Sequence, residues 1–345
     1  MSPPDAAAPQ PSSLAELPRN RECDFYCYVA ARESLLTRSG RPYLRVTLRD
    51  ATRSITFPVW RDSPWWGICD EQLQAGAYCK IRAVYLESAQ GPNFEIRKIR
   101  PATAEDAAQG FDPRRFLPPS RGDGEAFFAA VRDLAEREIE NEPLRKTVLH
   151  LLDAHREGWL HQAGGRWHHA YQGGLIEHTY FTLRGALALW ETYANSDSAM
   201  AGLASRDLVL AGAILHDLGR LAELQLTPSG VETSDAGQLL GHPALGRDLV
   251  RQAALSCEVD QEKLLRLEHV LLSHHARPDY GSPMPPMTLE ALIVHLADDA
   301  DARLIAALEA LQVDPNAPWT TKRNPTGQKW YRGAPFPTEN PEQST

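Results

Sequence analysis

Two periodicities divide the chain. Between residues 24 and 100, apolar and polar positions alternate in short runs rich in β-branched and aromatic residues, at 25–29, 43–48, 54–60, 77–85 and 93–97. Turn formers separate them, among them Gly40, Pro42, Asp50, Gly91, Pro92 and Asn93. This pattern predicts five strands forming a small β-barrel. From Asp123 onward the spacing changes to three and four: Phe127, Val131 and Leu134, then Leu144, Val148, Leu151 and Leu152. That is the period of amphipathic helices. Further helices are expected at about 174–194, 206–222, 239–256, 260–274 and 288–311, with Pro283, Pro285 and Pro286 interrupting the chain before the last.

Composition sharpens the boundaries. Residues 1–18 are rich in Pro, Ala and Ser and read as a disordered tail. Pro113, Pro118 and Pro119 mark residues 102–122 as a linker, and residues 313–345 read as a C-terminal tail. The expected organisation is thus multi-domain α and β: a barrel of the OB type at 19–101, then an all-α bundle at 123–312. With 345 residues and 43% hydrophobic positions, both parts can bury a core.

The longest uncharged apolar run, Leu208 to Leu215, is too short to cross a bilayer. The N-terminus has neither the basic nor the apolar region of a secretory signal. A cytoplasmic protein without a membrane partner is the default expectation. Five cysteines, odd in number and without a CxxC pair, read as reduced thiols. The net charge of −9 hides a split: residues 19–100 carry 14 Lys and Arg against 9 Asp and Glu, the remainder 22 against 36. A basic module joined to an acidic one suggests two jobs, the basic part able to meet a polyanion.

The helical half concentrates histidine. His178, His216 followed by Asp217, His242, and the pair His274-His275 lie in four separate segments, and a fifth, beginning at His295, supplies Asp298 and Asp299. The intervals of 38, 26 and 32 residues each fit one helix and its connection, so a bundle can aim all of them at one place. Imidazole mixed with carboxylate suits Mn²⁺, Fe²⁺ or Zn²⁺, and the absence of thiolates argues against a closed structural zinc site. Six or seven ligands exceed what one four-coordinate ion needs. Two ions sharing a carboxylate would use them, an arrangement suited to phosphoester hydrolysis.

At these residues the sequence resembles the HD-domain phosphohydrolases, whose pattern H…HD…D is matched by His178, His216-Asp217 and Asp298. His242, His274 and His275 resemble the two-metal branch. The stretch from His168 to His178, the His274-His275 pair, and Asp279 to Pro283 are similar to the YhaM-type 3′-5′ exoribonucleases, in which an OB-type domain precedes the HD domain. Arg220 stands where the HD motif usually carries Lys; it keeps the charge but cannot give up a proton at neutral pH. The resemblance implies a first metal on His178, His216, Asp217 and Asp298, and a second on His242, His274 and His275, with Asp217 bridging. Two divalent ions are implied, Mn²⁺ favoured and Fe²⁺, Zn²⁺, Co²⁺ or Mg²⁺ admissible. Asp217, Arg220 and His169 are the catalytic candidates. His168 and Tyr171 lie close upstream, and Asp299 and Asp301 are expected to be supporting groups. The Gly173-Gly174 pair fits either a close approach to substrate or a tight helix-start turn.

In the barrel, aromatics alternate with arginines. Tyr28, Tyr43, Arg45, Phe57, Trp60 and Arg97 are the candidate nucleic-acid-binding residues, with Tyr26, Phe94, Arg49 and Arg53 beside them; aromatic platforms next to cations suit single strands. Half of these aromatics must fill the barrel. Trp65 and Trp66 are candidates for packing the barrel against the helices. The expected function is a metal-dependent 3′-5′ exonuclease on single-stranded RNA or DNA. A nucleotide or cyclic-nucleotide phosphohydrolase and a non-catalytic nucleic-acid-binding protein are the alternatives, and homo-oligomerisation is left open.

Overall fold

The computed structural model describes residues 13–88, 91–194, 198–314, 316–324 and 326–333. The chain forms two compact units, residues 1–119 with 227–230, and residues 120–226 with 231–345.

The first unit is a five-stranded antiparallel sheet: β1 (Glu22–Leu36), β2 (Pro42–Arg49), β3 (Ser54–Trp60), a short α1 (Trp66–Glu71), β4 (Tyr78–Ser88) and β5 (Gly91–Pro101). The strand order is β3-β2-β1-β4-β5. β1 is longer than its apolar run because a bulge between Val29 and Ala31 bends it. Its first half pairs with β4 and its second with β2. The OB-like barrel is not closed by hydrogen bonds, since no ladder joins β3 to β5 among the described residues. The two edges meet through side chains instead, Phe57 and Phe94 crossing edge-on at 5.1 Å between ring centres.

Alternation places Leu44, Val46, Leu48, Ile55, Val59 and Ile81 inside. The sequence boundaries need two corrections. Residues 13–18 are not a loose tail: Leu14 and Leu17 are buried in the barrel core. The Leu14 N–H donates to Asp50 Oδ2 at 2.5 Å, while Asp50 Oδ1 accepts from the N–H groups of Thr52 and Arg53. The remainder of that expected tail lies outside the described residues. Residues 102–116 are not an open linker either. Asp106, 1% exposed, takes a two-pronged Arg100 guanidinium at 2.6 and 2.7 Å, and Phe116 is buried beside Tyr78. Trp65 and Trp66 pack on the barrel core, with Trp65 Nε1 donating to the Ile96 carbonyl. All five cysteines are free thiols, four of them buried.

The second unit is helical: α2 (Gly124–Glu138), α3 (Glu142–Ala154), α4 (Arg156–His161), α5 (Gly174–Ala194), α6 (Ser198–Leu203), α7 (Arg206–Leu215) and α8 (Arg220–Glu223) come first. The hairpin β6 (Leu224–Thr227) and β7 (Gly230–Thr233) leads into α9 (Asp235–Ser256), α10 (Gln261–Ser273) and α11 (Leu289–Gln312). α7 is the central helix. Ser205 caps it by accepting from the Leu208 N–H, and every residue from Leu208 to Leu215 is buried, so it can sit only inside a bundle. No described helix is long and apolar enough to cross a membrane.

Candidate metal centre

The fold delivers each polar group at the end of an apolar run. α7 stops at Leu215, and His216 and Asp217 follow in the tight turn before α8. α10 stops at Ser273, just before His274 and His275. His178 lies in the second turn of α5. Asp298 and Asp301, three apart on α11, share a face. His242 sits at a break in α9, where Gly241 (φ 73°, ψ 153°) leaves the helical region and Pro243 follows. Gly219 makes the approach possible: a Cβ there would lie 2.0 Å from the His242 carbonyl oxygen and 2.6 Å from the Gly246 nitrogen. The Gly173-Gly174 pair serves its own chain, since Gly174 packs against the His169 backbone.

The seven predicted ligands converge, and their tautomers can be read from their partners. Carbonyl and carboxylate oxygens only accept, so the nitrogen facing them donates. His216 Nδ1 donates to the Ala213 carbonyl at 2.9 Å and His274 Nδ1 to that of Leu271 at 2.8 Å. His178 Nδ1 donates to Asp301 Oδ2 at 2.6 Å and His242 Nδ1 to Glu223 at 3.0 Å. In the neutral rings all four Nε2 atoms therefore carry lone pairs. They face one another: His178 to His216 at 3.1 Å, His242 to His274 at 3.3 Å, and His242 to His275 Nε2 at 3.0 Å. Two facing lone pairs cannot bond without something positive between them. Two nitrogens each about 2.1 Å from one ion stand roughly 3.0–3.4 Å apart, so the spacing fits a shared cation.

Asp217 lies between the two groups. Its Oδ1 is 3.2 Å from His242 Nε2 and 3.6 Å from His274 Nε2. Its Oδ2 is 3.6 Å from His178 Nε2 and 3.8 Å from that of His216, and is buried without a hydrogen-bond partner. Asp298 Oδ1 lies 3.2 Å from His178 Nε2, and its Oδ2 3.4 Å from His275 Nδ1. One ion could be held by His178, His216 and Asp217, with Asp298 Oδ1 beside the two imidazoles, and another by Asp217, His242, His274 and His275.

Burial pushes Asp217 upward, but Arg220 and the histidines around it hold its carboxyl well below the usual range. Asp298 is likewise held low against burial by His178 and His275. His216 and His242 are pushed down to about 4 and about 3, chiefly by burial. Burial acts on His178 too, but hydrogen bonds to Asp298 and Asp301 overcome it and raise it to about 10. Among the seven candidate ligands His275 is the most exposed, with 17% of its side chain accessible.

Several predicted roles change. His169 is fully buried, with Nε2 on Asp301 at 2.8 Å and Nδ1 on the Tyr171 hydroxyl at 2.9 Å. Both ring nitrogens are engaged, so it braces Asp301 and does not meet substrate. Asp301 stands behind His178, and Asp299 points outward to Arg303. Arg220 places Nε 3.2 Å from Asp217 Oδ1 and Nη1 2.6 Å from Glu223 Oε2. The sequence reading missed Glu223, which accepts from both the N–H and Nδ1 of His242 and is held at about 2 by His242 and Arg220 against burial. Its signal was the acid three residues after Arg220 in an otherwise apolar stretch.

The barrel candidates separate into two groups. Phe57, 2% exposed, lies in the barrel core, and Tyr28, on the outer face but 7% exposed, is covered by Tyr78, so neither is a platform. Tyr43 and Trp60 remain outside, a cross-strand pair with ring centres 5.4 Å apart. Arg45 is paired with Glu33, and Arg97 with Glu95.

Residues 175–303 match the HD domain family. HD domains are generally metal-dependent hydrolases that bind divalent ions, and the match spans every ligand in the centre. Among solved structures, the second OB-fold domain of replication protein A from Methanococcus maripaludis is similar at 17% identity over 26% of this chain and 92% of that one, with a TM-score of 0.21.

Proposed function

We propose that the protein is a two-metal phosphodiesterase that removes nucleotides from the 3′ end of single-stranded RNA, and of DNA as an alternative substrate. The observation that carries the hydrolytic part is the set of lone-pair Nε2 atoms on His178, His216, His242 and His274 converging on Asp217, whose two oxygens address different histidine pairs. Divalent ions held there would supply charge to a phosphoryl oxygen and acidity to water. The chain's own part is orientation. Asp301 and Glu223 fix the imidazoles of His178 and His242, and Arg220 holds Asp217 ionised. Action on an oligomer is supported by the basic barrel unit, and the 3′-5′ direction by the resemblance to the YhaM-type enzymes.

The test is incubation of 5′-labelled single-stranded RNA and DNA with Mn²⁺, with and without chelator. A descending ladder that the chelator abolishes is expected. Intact oligomer alongside hydrolysis of a mononucleotide would replace this reading with a nucleotide phosphohydrolase. Unchanged His216→Ala activity and metal content would remove the centre altogether.

A further inference from the structure

The arginines nominated for strand binding are cancelled by glutamates, whereas a second face of the barrel carries two lysines besides its paired arginines. On β4, Lys80 and Arg82 point outward, alternating with buried Cys79, Ile81 and Ala83. On β5, Lys98 and Arg100 flank buried Ile99. The register sets Lys80 opposite Arg100 and Arg82 opposite Lys98. Like charges directly opposite across a ladder are destabilising, and here two such pairs are adjacent. β1 completes the lattice with Tyr26 opposite Lys80 and Asp24 opposite Arg82.

Two of the four cations have acidic partners: Arg82 with Asp24 at 2.7 Å and Arg100 with Asp106 at 2.6 Å. Lys80 donates to the neutral Gln109 side chain at 2.6 Å and lies 5.0 Å over the Tyr26 ring. Lys98 is exposed, and the ion pairs of this face include neither lysine. Together with Asp24 and Gln109, the four cations line a surface cavity of about 240 Å³.

We infer that this β4–β5 face is a binding site for the phosphodiester backbone of a single nucleic-acid strand, with Lys80 and Lys98 neutralising phosphates. Neighbouring outward positions along a strand are about 6.6 Å apart, comparable to successive phosphates of an extended chain. The paired Arg82 and Arg100 are held in place by their carboxylates. The site lies away from Tyr43 and Trp60, which the sequence had nominated. The inference rests on the barrel being the strand-holding module, as proposed above, and not on hydrolysis.

The experiment measures binding of a fluorescent 20-nucleotide single strand to the full chain in chelator, over a salt series, for wild type, Lys80→Gln/Lys98→Gln and Trp60→Ala. The double variant removes like-charge repulsion, so its melting temperature should match or exceed that of wild type. Losing two phosphate contacts should flatten the plot of log Kd against log salt by about 1.4, with Kd raised several-fold at low salt. Hydrolysis of a small phosphodiester such as bis-p-nitrophenyl phosphate should be unaffected. Wild type that binds while the double variant keeps its slope and Kd overturns this site alone, especially if Trp60→Ala weakens binding. Wild type that binds no strand overturns the barrel's proposed role and this site together. Equal displacement of the strand by poly-glutamate of matched length would show an unselective acid-binding patch and also refute the assignment.

Discussion

Gly219→Ala tests whether backbone packing places the centre. The added methyl would stand 2.0 Å from the His242 carbonyl oxygen and 2.6 Å from the Gly246 nitrogen. An ordinary contact begins near 3.4 Å, so α8 and the break in α9 must part by about 1.4 Å. Both obstacles are backbone, so no rotamer change relieves them. Overpacking of this kind costs about 2 kcal/mol, which lowers Tm by roughly 4–8 °C in a unit of this size. The larger consequence falls on His242, which moves with the carbonyl. A displacement of about 1 Å at a reacting centre can cost on the order of 100-fold in rate. The assay is thermal unfolding, metal content and Mn²⁺-dependent phosphodiester hydrolysis, beside Gly202→Ala, where a Cβ meets nothing within 4 Å. A Gly219→Ala protein with wild-type Tm, metal content and rate would refute the packing argument.

Other outcomes follow from the same geometry. Glu223→Gln keeps an acceptor for His242 but loses the charge that Arg220 and His242 share, so metal affinity should fall about 10–100-fold; unchanged affinity in a metal titration would dismiss Glu223 as a positioning group. In chelated protein, His216 and His242 have folded values of about 4 and about 3, below the unfolded value of about 6.5. The unfolded chain then binds protons that the folded one refuses, so their stability contribution is present above pH 6.5 and is lost on acidification, by up to about 1.4 kcal/mol per pH unit for each. His178, raised to about 10, acts in the opposite sense: its contribution is complete below about pH 6.5 and fades towards pH 10. A urea midpoint that stays flat between pH 7 and 5 would contradict this. Leu14→Ala, 1% exposed in the native barrel, should cost about 2–5 kcal/mol of barrel stability, measured by denaturant unfolding; a neutral result would return residues 13–18 to the tail.

The convergence of the candidate ligands was legible because polar doublets stood at the ends of apolar helical runs, where burial without a partner is costly. Of the groups behind them, Asp301 was expected in a supporting role, but Glu223 was missed and His169 was given a catalytic one, because both act through folding-dependent contacts that spacing does not reveal. In the barrel, period-two alternation shows which residues share a face. Phe57 is in phase with Ile55 and Val59 and so faces inward, whereas Trp60 is out of phase. Tyr28 is outward in phase with Tyr26, yet it is covered by Tyr78, which in turn packs on Phe111 and Phe116 from the segment read as a linker. Leu14 and Leu17 were hidden by the Pro- and Ala-rich residues around them, since a compositional average outweighs two anchoring side chains.

The ligands run from His178 to Asp298, which sets the order of assembly during synthesis. At 5–20 residues per second, about 6–24 s separate the emergence of the first ligand from that of the last. Through that interval α7, buried from Leu208 to Leu215 in the finished fold, lacks its cover from α11, and His178, His216 and Asp217 stand without Asp298. The barrel, finished by residue 116, is under no such delay. A chain stopped short of α11 would therefore carry a formed barrel beside a bundle whose central helix is still uncovered.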